Sequence, residues 1–370
     1  MTATPTADEP LGPSPDATRT DRVPDAPRPP VGSAAGATGG PAQAGAGGPA
    51  RTGKGGSVPA GTGRRRRAAR PPNPFAVPGL RRDVDPLNPL RHRDHVHFYV
   101  PVDHTEESFE QCQEEFGDPS YLHHEGRLVL VTGERGCGKT ALINRCAHWL
   151  REQLGKADLT AEVVDLTREA RDNEAIPQRR GNVCRALMDK LFELQLLTTN
   201  LAYEMRDSPD DAYRNLPGCL ERDQVLIVLL PPSADLTEEL VYYGIRAPRR
   251  VVFFAETAYA LPAEHRQALD RDSPVPPVYL HVSGFDHRHA DQFAQHRLDR
   301  LPAGTLPRLA PTALEDFIDN GRLATIREMQ WLLYGLYEEL RVQDDRPDEV
   351  TWEHISRHFI RRLRDLEGQP

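Results

Sequence analysis

The stretch Gly133-Glu134-Arg135-Gly136-Cys137-Gly138-Lys139-Thr140 constrains this chain more than any other. It follows an apolar run, Arg127-Leu128-Val129-Leu130-Val131-Thr132, and precedes a segment with Ala141, Leu142, Cys146, Trp149 and Leu150 near helical spacing. The pattern Gly-x-x-x-x-Gly-Lys-Thr in a strand–loop–helix context is the phosphate-loop template. Its glycines let the backbone curl so that successive N–H groups face one anion. The following helix presents the positive end of its dipole to the same point. Lys139 is placed to reach the outer phosphates of a nucleoside triphosphate, and Thr140 to offer its hydroxyl to Mg²⁺. The predicted ligands are therefore ATP and Mg²⁺, held by Gly133, Glu134, Arg135, Gly136, Cys137, Gly138, Lys139 and Thr140. Cys137 has two readings. One is a thiol whose pKa falls near helix N–H groups, and the other is a small tolerated loop residue.

Such a loop needs a parallel sheet behind it, and the sequence supplies the strands. Ala161–Leu166, Gln224–Leu230, Val251–Ala255 and Val278–Val282 are short apolar runs separated by helical stretches. Continuously apolar strands alternating with helices imply strands buried on both faces, hence a parallel α/β sheet. Between them, Asn182–Leu197 predicts an amphipathic helix with Leu187, Leu191, Leu194 and Leu197 on one stripe. Before the first strand, His97–Val100 predicts a short strand and Glu106–Phe116 a helix. After Gly284 the pattern turns helical, over Arg288–Leu301, Pro311–Asp319, Ala324–Leu340 and Thr351–Leu366. The expected organisation is a low-complexity tail at 1–72, a lead-in segment at 73–125, a P-loop core at 126–284 and a helical lid at 285–370.

Composition separates the tail from the rest. Residues 1–80 carry ten basic and five acidic groups, while the whole chain is −9, so the remainder is strongly acidic. The tail is rich in Pro, Gly, Ala and Thr and has little to bury, which predicts disorder. Its run Arg64-Arg65-Arg66-Arg67, with Arg70 close by, reads either as a tether for nucleic acid or another anionic partner, or as a solvated linker. The acidic body is a poor general partner for phosphate backbones. Five cysteines, an odd number with no C-x-x-C pair, suggest reduced thiols and a cytoplasmic location. No apolar run approaches the ~20 residues of a membrane span, and no signal-peptide h-region is present. His287, His289 and His296 lack companions for a tetrahedral metal site.

With its P-loop, five strands and helical tail in this order, the chain resembles an AAA+ ATPase over roughly residues 85–345. Within that superfamily it is similar to the group containing STAND signalling ATPases and origin-recognition-type initiators. The resemblance implies an acidic pair at the end of the third strand. Here Val225-Leu226-Ile227-Val228-Leu229-Leu230 runs into Pro231-Pro232-Ser233, and the next carboxylate is Asp235. This degenerate Walker B weakens the case for hydrolysis but not for binding. The resemblance also implies that the fourth strand lies beside the first, its end facing the γ-phosphate. Glu256 is then a water-orienting carboxylate, with Thr257 or Glu256 acting as sensor, or else a plain helix-start acid at a strand end. An arginine finger is expected just before the fifth strand, where Arg266 and Arg271 lie. An arginine of the lid is expected to face the γ-phosphate, and Arg327 matches that place. With 42 arginines in the chain, chance is a real competitor for each.

These readings imply a nucleotide-dependent switch or assembly factor with slow or absent turnover and an unidentified protein partner, a second copy of the chain included. The alternative is an active ATPase motor or loader working on DNA or protein. A phosphotransferase would need an acceptor site that no second motif supplies, and a scaffold would bind ATP and ADP alike.

Overall fold

The structure is a computed structural model. It describes residues 70–367 apart from 81, 83, 170–173, 234–236, 259–260, 320–322 and 324. The tail and its Arg64–Arg67 run, apart from residues 70–72, lie outside the described residues, as does Asp235.

Five strands form one parallel sheet: β1 (Arg127–Thr132), β2 (Thr160–Asp165), β3 (Gln224–Leu229), β4 (Val251–Thr257) and β5 (Val278–His281), in the order β2-β3-β4-β1-β5. The first strand is therefore next to the fourth, with Val131 opposite Glu256 and Thr132 opposite Thr257. Every residue of β3 and β4 is buried, which is what a near-continuous apolar run requires of a central parallel strand.

The two-residue period of a strand divides the core. Leu128 and Leu130 of β1 join one cluster with Val228, Phe253, Leu187 and Tyr243, while Val129 and Val131 join a second with Ile227, Phe254, Leu142 and Cys146. Helices α1 (Thr105–Glu115) and α2 (Lys139–Lys156) contribute to the second cluster. Helices α3 (Ile176–Glu193), α4 (Thr199–Arg206), α5 (Pro209–Cys219), α6 (Thr237–Ile245) and α7 (Ala263–Asp272) contribute to the first.

The chain then forms α8 (His287–Leu298), β6 (Arg308–Leu309), α9 (Glu315–Asp319), α10 (Ile326–Leu340), β7 (Glu349–Val350) and α11 (Trp352–Glu367). Their core is a third cluster, built around Phe293, Phe317, Met329, Leu332 and Leu333. Phe75, Val100 and Val102 of the lead-in segment belong to this cluster, not to the sheet's. The lead-in chain thus packs with the C-terminal helices as well as against α2.

Two local expectations are corrected. His97–Val100 is not a strand: Arg93–Phe98 is a 3-10 helix. His95 fixes it there, because its buried ring accepts from the Asn88 N–H at 2.8 Å and bonds the Pro78 carbonyl at 2.7 Å. The helix expected at Asn182–Leu197 starts earlier, with Pro177 in its first turn, and ends at Glu193. Gln195 adopts a left-handed φ of 62° and the Leu196 N–H returns to the Leu191 carbonyl, so Leu194 is exposed while Leu187 and Leu191 are buried.

Candidate functional site

The glycine loop leaves the C-terminal end of β1 and enters α2 at Gly138. Gly133 has φ 148°, and a Cβ there would lie 2.3 Å from the Val282 carbonyl oxygen, so no side chain fits. Gly136 has φ 98°, a conformation that side chains resist. Lys139 is buried, and its Nζ donates to the carbonyls of Gly133 and Glu134, each at 2.8 Å. Burial lowers the Lys139 pKa from its ordinary value, and the nearby Glu256 carboxylate opposes that shift. Cys137 is fully buried, and burial pushes its thiol up to about 11. Burial thus acts against the lowering that a helix N-terminus would give this thiol, and favours the reading of a small loop residue.

β4 delivers Glu256 into this loop. The Thr140 hydroxyl donates to Glu256 Oε2 at 2.8 Å. Glu256 is 9% exposed. Burial raises its pKa, against the Thr140 hydrogen bond and the charges of Lys139 and Arg327. The segment after β3 runs alongside: the Ser233 N–H donates to the Glu256 carbonyl at 2.9 Å, and Ser233 bridges Thr257. Prolines 231 and 232 have no N–H to give, so this strand end offers neither acid nor ladder hydrogen bond at that point.

The start of α10 is seated on the loop. The Arg327 N–H donates to the Gly136 carbonyl at 3.3 Å. Thr325 caps α10 in a capping box with Glu328, and its hydroxyl would lie 2.9 Å from a Cβ placed on Gly136. A cavity of about 430 Å³ opens here, within the range of small-molecule sites. Its lining includes Arg135 to Leu142, Glu256, Thr257, Arg327 and Gln330. Its other walls come largely from apolar residues of the lead-in segment and of α8, with Asp85, Tyr99, Thr105, Arg145, Ser233 and Arg297 among the polar exceptions.

The structure thus gathers Arg135, Gly136, Cys137, Gly138, Lys139, Thr140, Glu256 and Arg327 around one cavity. Gly133 and Glu134 are outside its lining and act through the carbonyls that hold Lys139. Arg271 is elsewhere. It ends α7, exposed and paired with Asp272 at 2.8 Å, ahead of the N-terminal edge of β5 and therefore away from this chain's own loop. Arg266 lies over the Tyr279 ring at 4.1 Å. The sequence reading missed Ser233, Arg297 and Gln330. Only Gln330 left a trace, as the polar residue one position beyond Met329 on the apolar stripe of α10.

The oxygens of Thr140 and Glu256 are hard donors of the kind Mg²⁺ accepts alongside phosphate. These residues fit the ion that the loop implies, and it would supply charge neutralisation between the phosphates.

No protein-family model matches the sequence, and no curated protein matches it. Among solved structures the chain is similar to the ORC1 protein of Aeropyrum pernix in complex with DNA, at 16% identity and TM-score 0.49, over 75% of this chain and 69% of that one. It is also similar to Cdc6p of Pyrobaculum aerophilum, at 14% and 0.47, over 75% and 74%. A third is the RuvB Holliday junction branch migration motor of Thermotoga maritima, at 13% and 0.41, over 75% and 73%. The strand order, with the glycine loop after β1 and helices behind the sheet, is the arrangement expected of an AAA+-like P-loop fold. Among the described residues no helix is long and apolar enough to cross a membrane.

Proposed function

We propose that this chain is a nucleotide-dependent switch or assembly factor of AAA+ type. A nucleoside triphosphate, ATP by the family resemblance, binds with Mg²⁺ between the P-loop core (126–284) and a helical lid (285–370). The observation that carries this reading is the seat of α10 on the loop, through Arg327 to Gly136 and Thr325 over Gly136. Phosphate gathered by the loop is thereby sensed by the first turn of a lid helix, and Arg327 is the side chain placed to read the terminal phosphate. A triphosphate and a diphosphate then favour different lid angles, which is the differential interaction a switch needs.

Each residue has a role in that scheme. Lys139 neutralises the outer phosphates. Thr140 and Glu256 form one oxygen cluster on the metal side of the site, so Glu256 takes over the metal-facing task that the end of β3 does not perform. With Glu256 so engaged, no second carboxylate among the described residues of this cavity's lining, apart from Asp85 in the lead-in segment, is left to polarise water. Turnover is accordingly slow. Arg271, facing away from its own loop, is the candidate to reach a neighbouring copy's nucleotide.

The test is ATP binding together with single-turnover hydrolysis, comparing wild type, Lys139→Ala and Glu256→Gln. Tight binding through Lys139 with hydrolysis slower than lid opening supports the switch. Rapid turnover abolished by Glu256→Gln, and raised by self-assembly through Arg271, would instead support the motor or loader.

A further inference from the structure

Beyond the end of β3 the pairing with β4 is interrupted by two prolines and then resumes. The Leu230 N–H donates to the Phe254 carbonyl at 2.8 Å. Pro231 and Pro232 have no N–H to donate. The Ser233 N–H then donates to the Glu256 carbonyl at 2.9 Å. That N–H shares one peptide unit with the Pro232 carbonyl, and a peptide unit is planar. The carbonyl accepts in turn from Nη2 of Arg179 at 2.6 Å. One rigid plane is thus held at both ends, by the backbone of Glu256 on one side and by a guanidinium on the other.

Arg179 stands in the first turn of α3 and is 1% exposed. It is outside the cavity lining, whereas Pro232, Ser233, Glu256 and Thr257 are within it. Its Nε donates to Glu239 Oε2 at 2.8 Å. Glu239, on α6, is equally buried, and its Oε1 accepts from the Tyr243 hydroxyl at 3.2 Å. A buried ion pair adds little stability over well-packed apolar side chains of similar volume. What a guanidinium does add is a planar fork whose arms point in fixed directions. Here Glu239 sets one arm and the Pro232 carbonyl takes another, so α6 governs the angle at which Arg179 meets the strand end. The polar chain continues through the Pro232–Ser233 peptide to the backbone of Glu256, whose side chain accepts from Thr140 at 2.8 Å.

We propose that Arg179, oriented by Glu239, is a positioning residue for Glu256 and hence for metal-assisted nucleotide binding. It touches neither the phosphates nor the metal side of the site. It fixes the Pro232–Ser233 peptide, and that peptide fixes the backbone from which the Glu256 carboxylate reaches Thr140. Without Arg179 the two-proline corner loses its carbonyl anchor, and the carboxylate loses its set place beside the Thr140 hydroxyl. Thr140 and Glu256 face Mg²⁺ in the P-loop reading above, on which this role rests.

Calorimetric titration of the full chain with ATP, once with Mg²⁺ and once with EDTA, gives a metal enhancement, the ratio of the two affinities. Arg179→Met combined with Glu239→Gln removes both buried charges together, and the glutamine keeps an acceptor for Tyr243. This paired variant should lose about ten-fold of the enhancement, the lower end for contacts that support a metal ligand, while metal-free ATP affinity stays at the wild-type value. In a Glu256→Gln background the same pair should cause no further loss, because the route ends at that carboxylate. Should the paired variant not fold, Arg179→Lys keeps a cation beside Glu239 without the fork and should also lower the enhancement. An unchanged enhancement in a folded variant overturns the proposal. So does an equal loss with and without Mg²⁺, which marks a merely structural role, and so does a loss that adds to that of Glu256→Gln. Wild type that binds ATP with no enhancement by Mg²⁺ removes the metal-facing role of Glu256 and the role of Arg179 together. Wild type that binds ATP in neither condition removes the P-loop reading itself.

Discussion

Gly136→Ala should uncouple the loop from α10, and the structure sets the size of the effect. The residue sits at φ 98°, and the added Cβ would fall 2.9 Å from Thr325 Oγ1 and 3.2 Å from Thr325 Cβ. Holding a side chain at positive φ costs roughly 1–2 kcal/mol. Relief requires Thr325 to move, yet its hydroxyl accepts from the Glu328 N–H at 3.3 Å while Glu328 accepts from the Thr325 N–H at 3.2 Å. Losing such a cap costs about 1 kcal/mol. The expected total is about 2–3 kcal/mol, a fall in Tm of roughly 3–5 °C for a chain of this size. Thermal unfolding followed by circular dichroism reads it. Because the cap can be lost only once, Gly136→Ala with Thr325→Ala should cost about 1 kcal/mol less than the sum of the two singles. A Gly136→Ala protein within about 0.5 kcal/mol of wild type, or strict additivity in the double variant, would refute the claim that α10 is built on the loop.

Glu256→Gln should act in opposite directions on stability and binding. The folded carboxylate has its pKa raised above the ordinary 4.5. The folded state therefore holds the proton longer than the unfolded chain, and the free protein loses stability as pH rises through that window. The glutamine variant escapes the loss, so its Tm should exceed wild type at pH 7–8, while Mg²⁺-nucleotide affinity drops about ten-fold with the charged hydrogen bond from Thr140. Asp103, fully buried with neither carboxylate oxygen hydrogen-bonded among the described residues, is pushed up to about 8. Its folded pKa exceeds the unfolded value, so urea midpoints should fall as pH rises from about 4 to about 8, and Asp103→Asn should flatten that slope. Arg327→Ala should reduce the preference for triphosphate over diphosphate several-fold without abolishing diphosphate binding, measurable by competition titration; equal losses for both nucleotides would remove Arg327 from the terminal phosphate.

What was legible in the sequence was what depends on local pattern. The eight residues from Gly133 to Thr140 carry their own geometry, and the apolar runs of β1, β3 and β4 announce a sheet buried on both faces. Glu256 could be placed because strand order, once the resemblance supplied it, puts β4 beside β1. The direct hydrogen bond to Thr140 was not legible, since it depends on register between strands far apart in sequence. Leu194 fitted the helical stripe, but a left-handed Gln195 ends the helix and turns that side chain outward. The 3-10 helix at Arg93–Phe98 depends on His95 finding Asn88 and Pro78, a tertiary event with no periodic signature. Arg297 was hidden among many arginines. Its burial arises where α8 meets the lead-in segment, and no spacing rule marks that junction.

The central claim is that one ligand joins the glycine loop to the first turn of α10. Amide hydrogen exchange with and without Mg²⁺-nucleotide, in wild type and Lys139→Ala, tests it most directly. The account predicts that nucleotide slows exchange in both Gly133–Thr140 and Thr325–Arg327, and that both effects disappear in Lys139→Ala. Protection confined to the loop, or protection of either segment that persists without Lys139, would contradict it.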